Sequence, residues 1–158
     1  MVKRGHPRWT RRLFAPGDLE AIATAVAAAE RETSAEIRVH LDRHLPKHGH
    51  VPPGDALARA RHVFVRLRMH ETSERNGVLV YLAIEDRKLA IVGDDAVHAR
   101  VGEGYWAGVR DAMVERLRRG EAREAILHAV SDVGGILKKF FPPRPGHHNQ
   151  LSDEVSLS

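Results

Sequence analysis

The chain has 158 residues, a formal net charge of +4 at pH 7 and no cysteine. A length of this order predicts one domain, and the lack of thiols excludes cysteine nucleophiles, iron–sulfur clusters and thiolate zinc sites. No apolar run reaches the roughly 18 residues of a membrane span, and the segment from Met1 to Trp9 lacks the apolar stretch of a signal peptide. The sequence therefore predicts a soluble cytoplasmic protein without a membrane anchor.

The excess of basic residues lies at the N-terminus. Five of the 25 lysines and arginines fall within residues 1–14, which carry no acid, and this leaves 20 basic against 21 acidic residues in the rest of the chain. Residues 1–13 are therefore predicted to be a basic flexible arm on a nearly neutral domain. Such an arm is more often a solvated tail than a contact for phosphate, so nucleic acid is not an expected partner.

The first half of the chain alternates between helical and strand patterns. Apolar residues at helical spacing predict a helix over residues 16–30, and residues 35–41 alternate strictly, which predicts a strand with one buried face. Proline, glycine and histidine in residues 42–54 indicate a loop. Asp55 is placed to cap a second helix, which carries one apolar stripe and ends near residue 70.

An unbroken apolar run over residues 78–84 predicts a central strand that is covered on both faces. The charged residues 85–88 and a second apolar run predict a hairpin that ends at Gly93. Strand, helix and strand in succession form a βαβ unit, so the first two strands should be parallel with a right-handed crossover. Ser34–Glu36, Asn76–Gly77 and Gly93–Asp95 should therefore converge at one sheet end.

The second half is predicted to be helical. A short helix near residues 96–101 is followed by a helix with Trp106 on its apolar stripe and by a further helix from about residue 122. Together these elements predict an α/β/α sandwich, with a small mixed β-sheet and helices on both faces. The domain is expected to span residues 14–141, and the polar, proline-rich residues 142–158 are expected to be a disordered tail.

Two adjacent carboxylates, Asp94 and Asp95, follow the end of the hairpin. With Glu36 and the Asn76 amide nearby, they would supply oxygen ligands for calcium or magnesium. The alternative is that Asp95 only caps the next helix, and spacing alone favours that cap. Glu103, beyond the short helix, is a further candidate ligand.

Other polar clusters carry weaker signals. His44, His48 and His50 lie close in sequence, but a loop rich in proline and glycine fixes no ligand geometry, so a functional metal is not favoured there. Asp86 and Arg87 occupy the hairpin turn, where such residues are ordinary.

The motifs of common hydrolases are absent from the sequence. There is no Gly-x-Ser-x-Gly elbow, no phosphate-binding glycine loop and no His-Glu-x-x-His helix. A phosphatase would have to use a metal-activated water on the cluster of Glu36, Asp94 and Asp95. Arg38 or Arg75 would then hold the substrate.

Five segments in a fixed order resemble the TPM domain family, which is shared by a thylakoid-lumen phosphatase, a photosystem II repair protein and an acetylcholine-receptor accessory protein. The segments are Thr33 to Val39, Arg75 to Leu82, Glu85 to Lys88, Ile91 to Asp94, and Tyr105 with Trp106. The resemblance covers roughly residues 14–140. It implies an α/β/α sandwich, divalent-cation binding by acidic loops, and a role in repair, assembly or quality control of other proteins. For some members it implies a weak acid phosphatase activity.

We therefore predict a divalent-cation-binding module of protein quality control with ATP-independent, chaperone-like activity on unfolded or damaged client proteins. Calcium or magnesium is expected on Glu36, Asp94 and Asp95, where it would stiffen the loops. Val65 and Met69 lie off the main apolar stripe of the second helix and are expected to leave apolar surface for clients. The alternative is a weak metal-dependent acid phosphatase.

Overall fold

A four-stranded mixed sheet with helices on both faces forms the protein in its computed structural model, which describes residues 6–49, 51–145 and 152–158. The helices and strands are, in chain order, α1 (Asp18–Glu30), β1 (Ile37–Asp42), α2 (Ala56–Arg66), β2 (Val78–Ala83), β3 (Lys88–Gly93), α3 (Asp95–Arg100), α4 (Glu103–Arg118), α5 (Ala122–Phe140) and β4 (Ser156–Leu157). The predicted α/β/α sandwich is confirmed.

The strands lie in the order β3-β2-β1-β4. β1 and β2 are parallel with Ile37 opposite Val78, and β3 returns antiparallel with Gly93 opposite Val78. The N–H of Val78 donates to the Glu36 carbonyl at 2.8 Å, and the N–H of Asp94 donates to the Gly77 carbonyl at 2.9 Å. The predicted βαβ unit, the hairpin and the convergence at one sheet end are therefore all confirmed.

Two apolar cores lie on opposite faces of the sheet. The larger core packs one face against α1, α4 and α5, and it includes Trp106 as predicted. The smaller core packs the other face against α2 through Ala60, Val63 and Phe64. Burial of one large apolar side chain contributes about 1.5–3 kcal/mol to the free energy of folding. The two cores together therefore hold the sheet between its helical layers.

β1 departs from its prediction, because both of its faces are buried. Its apolar residues face the larger core as the alternation predicts, but Glu36, His40 and Asp42 on the other face are buried as well. Alternation predicts an edge or half-exposed strand only when nothing covers the polar face. Here Arg59 reaches Asp42 from α2, and Ser156 and Ser158 of the C-terminal segment contact His40.

Both chain ends contain more structure than predicted. In the basic arm, Arg8–Arg12 form a short 3-10 helix whose Thr10 is buried. At the other end, Ser156–Leu157 form β4 beside β1, which contradicts a disordered tail over residues 142–158. Residues 1–5 and 146–151 lie outside the described part. A two-residue strand is too short for periodicity to reveal, and its pairing depends on β1.

Within the described ranges, no helix has the length and apolar character needed to cross a membrane.

Candidate functional site

The candidate site lies at the sheet end where β1 and β2 begin and β3 ends. A cleft of about 550 Å³ opens there. Its lining residues are Ser34, Ser73, Glu74, Arg100, Phe140, Phe141, Pro142, Pro143 and Arg144. The cleft therefore combines two hydroxyls, two guanidinium groups and one carboxylate with an apolar wall.

The end of α5 forms that apolar wall because it is tied to the start of β1. The Phe141 carbonyl accepts the Ser34 N–H at 3.0 Å and the Thr33 hydroxyl at 2.5 Å. Opposite the wall, Glu74 pairs with Arg144 at 2.6 Å and accepts the Asn76 side-chain amide at 3.3 Å. Asn76 also donates to the Ser34 hydroxyl at 3.4 Å, which links the β1 and β2 entries directly.

Asp94 joins β3 to α3 at this sheet end. Its carboxylate accepts the N–H of Asp95 at 2.8 Å and so caps α3, which means that Asp94 and not Asp95 is the capping residue. Gly93 lets α3 pack closely, because a Cβ at Gly93 would lie 2.9 Å from Val97. The backbone on either side of Asp94 is therefore fixed.

Arg75 neutralises the Asp94 carboxylate. Its Nε lies 3.2 Å from Asp94 Oδ2 and its Nη2 lies 3.4 Å from Asp94 Oδ1, and Nη2 also lies 3.4 Å from Asp95 Oδ2. The Arg75 backbone has a φ of 53°, a left-handed conformation that is uncommon for residues other than glycine. Its carbonyl accepts the Ala96 N–H at 3.1 Å, so the same residue anchors α3 through backbone and side chain.

The three predicted cation ligands do not form a ligand shell as they stand. Glu36 and Asp94 are buried, whereas the Asp95 side chain is 90% exposed, and Arg75 already occupies the Asp94 carboxylate. Across the part of the chain that the structure describes, no group of three or more histidine, aspartate or glutamate side chains is placed to hold a metal ion. Cation binding at Asp94 and Asp95 stays a prediction, and it requires Arg75 to release the carboxylates.

The remaining predicted candidates lie apart from this site. Glu103 pairs with Arg110 at 2.6 Å on α4. His44 contacts Glu85 at 2.9 Å and Asp86 at 3.6 Å beside the hairpin turn, at the opposite sheet end. His50, the third member of the predicted histidine group, lies outside the described residues.

A buried charge network joins α2 to β1 and β2, and the sequence pattern does not predict it. The Asp42 carboxylate accepts the Tyr81 hydroxyl at 2.6 Å and Arg59 Nε at 2.8 Å, and it lies 3.0 Å from His40 Nε2. Burial alone raises the pKa of Asp42, but the hydrogen bonds from His40, Arg59, Ser158 and Tyr81 outweigh burial and hold that pKa well below its usual range. The carboxylate therefore stays ionised inside the protein, where it joins β1, β2 and α2.

No local spacing points to this network. Asp42 falls in the stretch predicted as loop, and Arg59 lies 17 residues further along the chain, off the apolar stripe of its helix. The one available signal is the strict alternation of residues 35–41, which places His40 on the polar face. Because burial closes the network off from solvent, the sheet-end cleft and not this network is the candidate site for a small ligand.

The layers and the sheet end together define the class of protein: an α/β/α sandwich whose small mixed sheet presents a polar cleft where the parallel strands begin. The sequence profile of the TPM domain matches residues 10–136, which is more than half of the chain. The chain therefore belongs to the TPM domain family, as the order of its motifs predicts.

Solved structures agree with this assignment. The chain is similar to the BA42 protein of the psychrophilic bacterium Bizionia argentinensis, with 31% identity over 92% of this chain and 95% of that one and a TM-score of 0.79. The N-terminal domain of the cg2496 protein of Corynebacterium glutamicum is 15% identical over 95% and 98% of the two chains, with a TM-score of 0.58. An N-terminal domain from P. gingivalis is 22% identical over 86% and 83%, also with a TM-score of 0.58. At these lower identities the likeness concerns the fold alone. None of the curated proteins compared with the chain matches it.

Proposed function

We propose that the protein is a non-enzymatic module of protein quality control, which holds unfolded or damaged client proteins without ATP. The observation that carries this proposal is the outer face of α2. Leu57 is 42% exposed and Val65 is 57% exposed, and Arg61 lies exposed between them on the same side of the helix. Exposed apolar side chains alternating with arginine suit a client that offers apolar and acidic groups.

The packing of α2 explains why this face stays open. Ala60, Val63 and Phe64 face the smaller core, whereas Arg61 and Val65 turn away from it. Leu57, in the first turn of α2, lies exposed at the margin of the core-facing side. Leu57 and Val65 are eight residues apart, which corresponds to about 12 Å along a helix. The prediction that Met69 contributes to the client surface is wrong, because Met69 is fully buried.

The test is light scattering from a heat-denatured client enzyme, with this protein present at equal molar amount and without nucleotide. The double variant Leu57→Ser and Val65→Ser should lose at least half of the wild-type suppression. Leu13→Ser is the matched control, because Leu13 is 40% exposed but lies in the N-terminal segment. Equal suppression by the double variant and the control would exclude the α2 surface, and no suppression by the wild type would exclude the function.

A divalent cation, calcium or magnesium, on Asp94, Asp95 and Glu36 is part of this proposal. The support is the pair of adjacent carboxylates at the end of β3, whose present counter-charge is Arg75. Isothermal titration with calcium, repeated on the variant Asp95→Asn, tests it. Identical heats for the variant and the wild type would argue against a cation on Asp95.

A second candidate function is a weak metal-dependent acid phosphatase, which the sheet-end cleft favours. Arg100 and Arg144 line the cleft together with the Ser34 and Ser73 side chains, and guanidinium groups with hydroxyls are suited to bind phosphate. Release of phosphate from an aryl phosphate should fall at least tenfold in Arg100→Ala. Arg119→Ala, an exposed arginine at the end of α4, serves as the control. A wild-type rate equal to that of buffer would reject this candidate.

A further inference from the structure

The C-terminal segment, residues 152–158, lies along the edge of β1 as an added parallel strand. His40 is opposite Ser156 and Leu41 is opposite Leu157 in the strand register. The N–H of Ser158 donates to the Leu41 carbonyl at 3.0 Å, and the N–H of Arg43 donates to the Ser158 carbonyl at 3.3 Å. The backbone of β1 therefore contacts the segment in the way that a sheet edge contacts a bound peptide.

Side chains below the segment select its hydroxyl groups. His40 Nδ1 lies 2.9 Å from the Ser156 hydroxyl, and His40 Nε2 lies 2.8 Å from the Ser158 hydroxyl. Arg59 Nη2 donates to the Ser158 hydroxyl at 3.4 Å, and that hydroxyl in turn donates to Asp42. Ser156 and Ser158, two residues apart on one face of the segment, thus both contact buried polar side chains.

The remaining residues of the segment also have complementary partners in the domain. Val155 and Leu157 pack against the larger core. Burial lowers the pKa of the half-buried Arg38, and the negative charges of Glu154 and Asp153 oppose that shift. The edge of β1 is therefore complementary to two acidic residues followed by alternating branched apolar and hydroxyl residues.

The side chains beneath the segment are buried, whereas the segment itself is held by few backbone pairs. His40, Asp42 and Arg59 are all buried. None of residues 152–158 is buried, and β4 pairs over two positions, whereas β1 and β2 pair over six. Short, half-exposed strands unfold locally at a low cost in free energy. Opening would expose an unpaired sheet edge above a specific polar floor.

We propose that the edge of β1 is a peptide-binding groove, which the segment 152–158 occupies in the same chain and which an extended segment of a client polypeptide takes over. The client segment has the chemistry of the resident one: acidic residues followed by alternating branched apolar and serine or threonine residues. The client part of this proposal rests on the proposed holding function. The groove itself is tested without any client.

The test uses a fluorescent peptide with the sequence of residues 152–158 and the full-length variant Leu157→Asp, in which a charge against the core displaces the resident segment. The peptide should bind this variant at least tenfold more tightly than the wild type, because the intramolecular competitor has been removed. A peptide of the same composition in scrambled order is the control. Absence of binding up to about 1 mM, with an unchanged circular dichroism spectrum, would overturn the groove.

A disulfide lock provides the second measurement. The chain contains no cysteine, and Leu41 and Leu157 are register partners on adjacent strands, so cysteines at both positions should form one bond. Oxidation should abolish peptide binding, and reduction should restore it. Peptide binding that is equally strong in the oxidised form would overturn the groove, since the locked segment covers it.

The same lock separates this inference from the proposed function. If clients enter the groove, the oxidised protein should suppress client aggregation at least twofold less than the reduced protein. Equal suppression in both states would overturn the client role of the groove and leave the holding function standing. A dimer of Leu157→Asp that forms without client in light-scattering mass measurement would overturn it too, because a second copy would then be the occupant.

Discussion

Asp42 on β1 accepts the hydroxyl of Tyr81 on β2 at 2.6 Å, in a position that α2 seals from solvent. Burial raises the pKa of Tyr81, and the hydrogen bond to the Asp42 carboxylate raises it further. The phenol therefore remains a donor throughout the physiological pH range. The carboxylate depends on this donor and on Arg59 for its charge to be tolerated inside the fold.

Removal of the Asp42 charge should destabilise the protein far more than removal of the Tyr81 hydroxyl. Asp42→Asn leaves the Arg59 guanidinium buried without its counter-charge, and we expect a loss of about 3–5 kcal/mol in the free energy of unfolding. Tyr81→Phe removes one donor to a charged acceptor and should cost about 1.5–3 kcal/mol. Urea unfolding followed by circular dichroism measures both. If Asp42→Asn cost no more than Tyr81→Phe, the pair with Arg59 would not be the dominant contact.

We expect Glu30 to make the stability of the protein depend on pH. Burial, a hydrogen bond with Asp153 and the nearby charge of Glu36 raise the pKa of Glu30 from 4.5 to about 10, although the Ile37 N–H opposes the shift. Because the folded-state pKa lies above the unfolded-state value, the stabilisation by protonated Glu30 is complete below pH 4.5 and is lost progressively as the pH rises toward 10.

The variant Glu30→Gln should remove this dependence, since glutamine stays neutral and keeps an acceptor for the Ile37 N–H. Relative to the variant, the wild type should lose up to about 1.4 kcal/mol of unfolding free energy per pH unit between pH 5 and 9. Urea unfolding at several pH values measures the difference. Glu32→Gln, an exposed carboxylate on the same turn, is the control and should follow the wild type. Parallel pH profiles for Glu30→Gln and the wild type would contradict the assignment.

The sequence predicts what depends on local pattern and order. The apolar run 78–84, the charged turn after it and the alternation of residues 35–41 determine the parallel pair, the hairpin and the convergence at Asn76 and Asp94, and all of these are confirmed. These features follow from side-chain period and chain connectivity alone.

The remaining features depend on partners that are distant in the chain. Asp42 and Ser158 are 116 residues apart, and only the fold shows that they meet beneath β4. The burial of the polar face of β1 depends in the same way on Arg59, which supplies the charge that makes burial possible. The role of Arg75 could not be predicted either, because neither the left-handed backbone nor the pair with Asp94 leaves a periodic signal.

The cap on α3 gives a prediction for Asp94. Asp94→Ala removes the acceptor for the Asp95 N–H and should cost about 1–2 kcal/mol in unfolding free energy. Asp94→Asn retains a side-chain acceptor and loses only the charge paired with Arg75, which is half exposed, so it should cost less than about 1 kcal/mol. Thermal unfolding of the two variants side by side distinguishes cap from charge. Equal losses would show that the ion pair, and not the cap, is the larger contribution.

Arg75 competes with any cation for Asp94 and Asp95, and this competition gives the sharpest test of the acidic sheet end. Arg75→Gly and Arg75→Ala both remove the guanidinium, so both should bind calcium at least fivefold more tightly than the wild type in isothermal titration. The two variants differ in the backbone, because glycine adopts the observed φ of 53° without strain. Arg75→Gly should therefore be more stable than Arg75→Ala by about 1 kcal/mol. Calcium affinity that is unchanged in both variants would mean that the two aspartates serve only the cap and the ion pair.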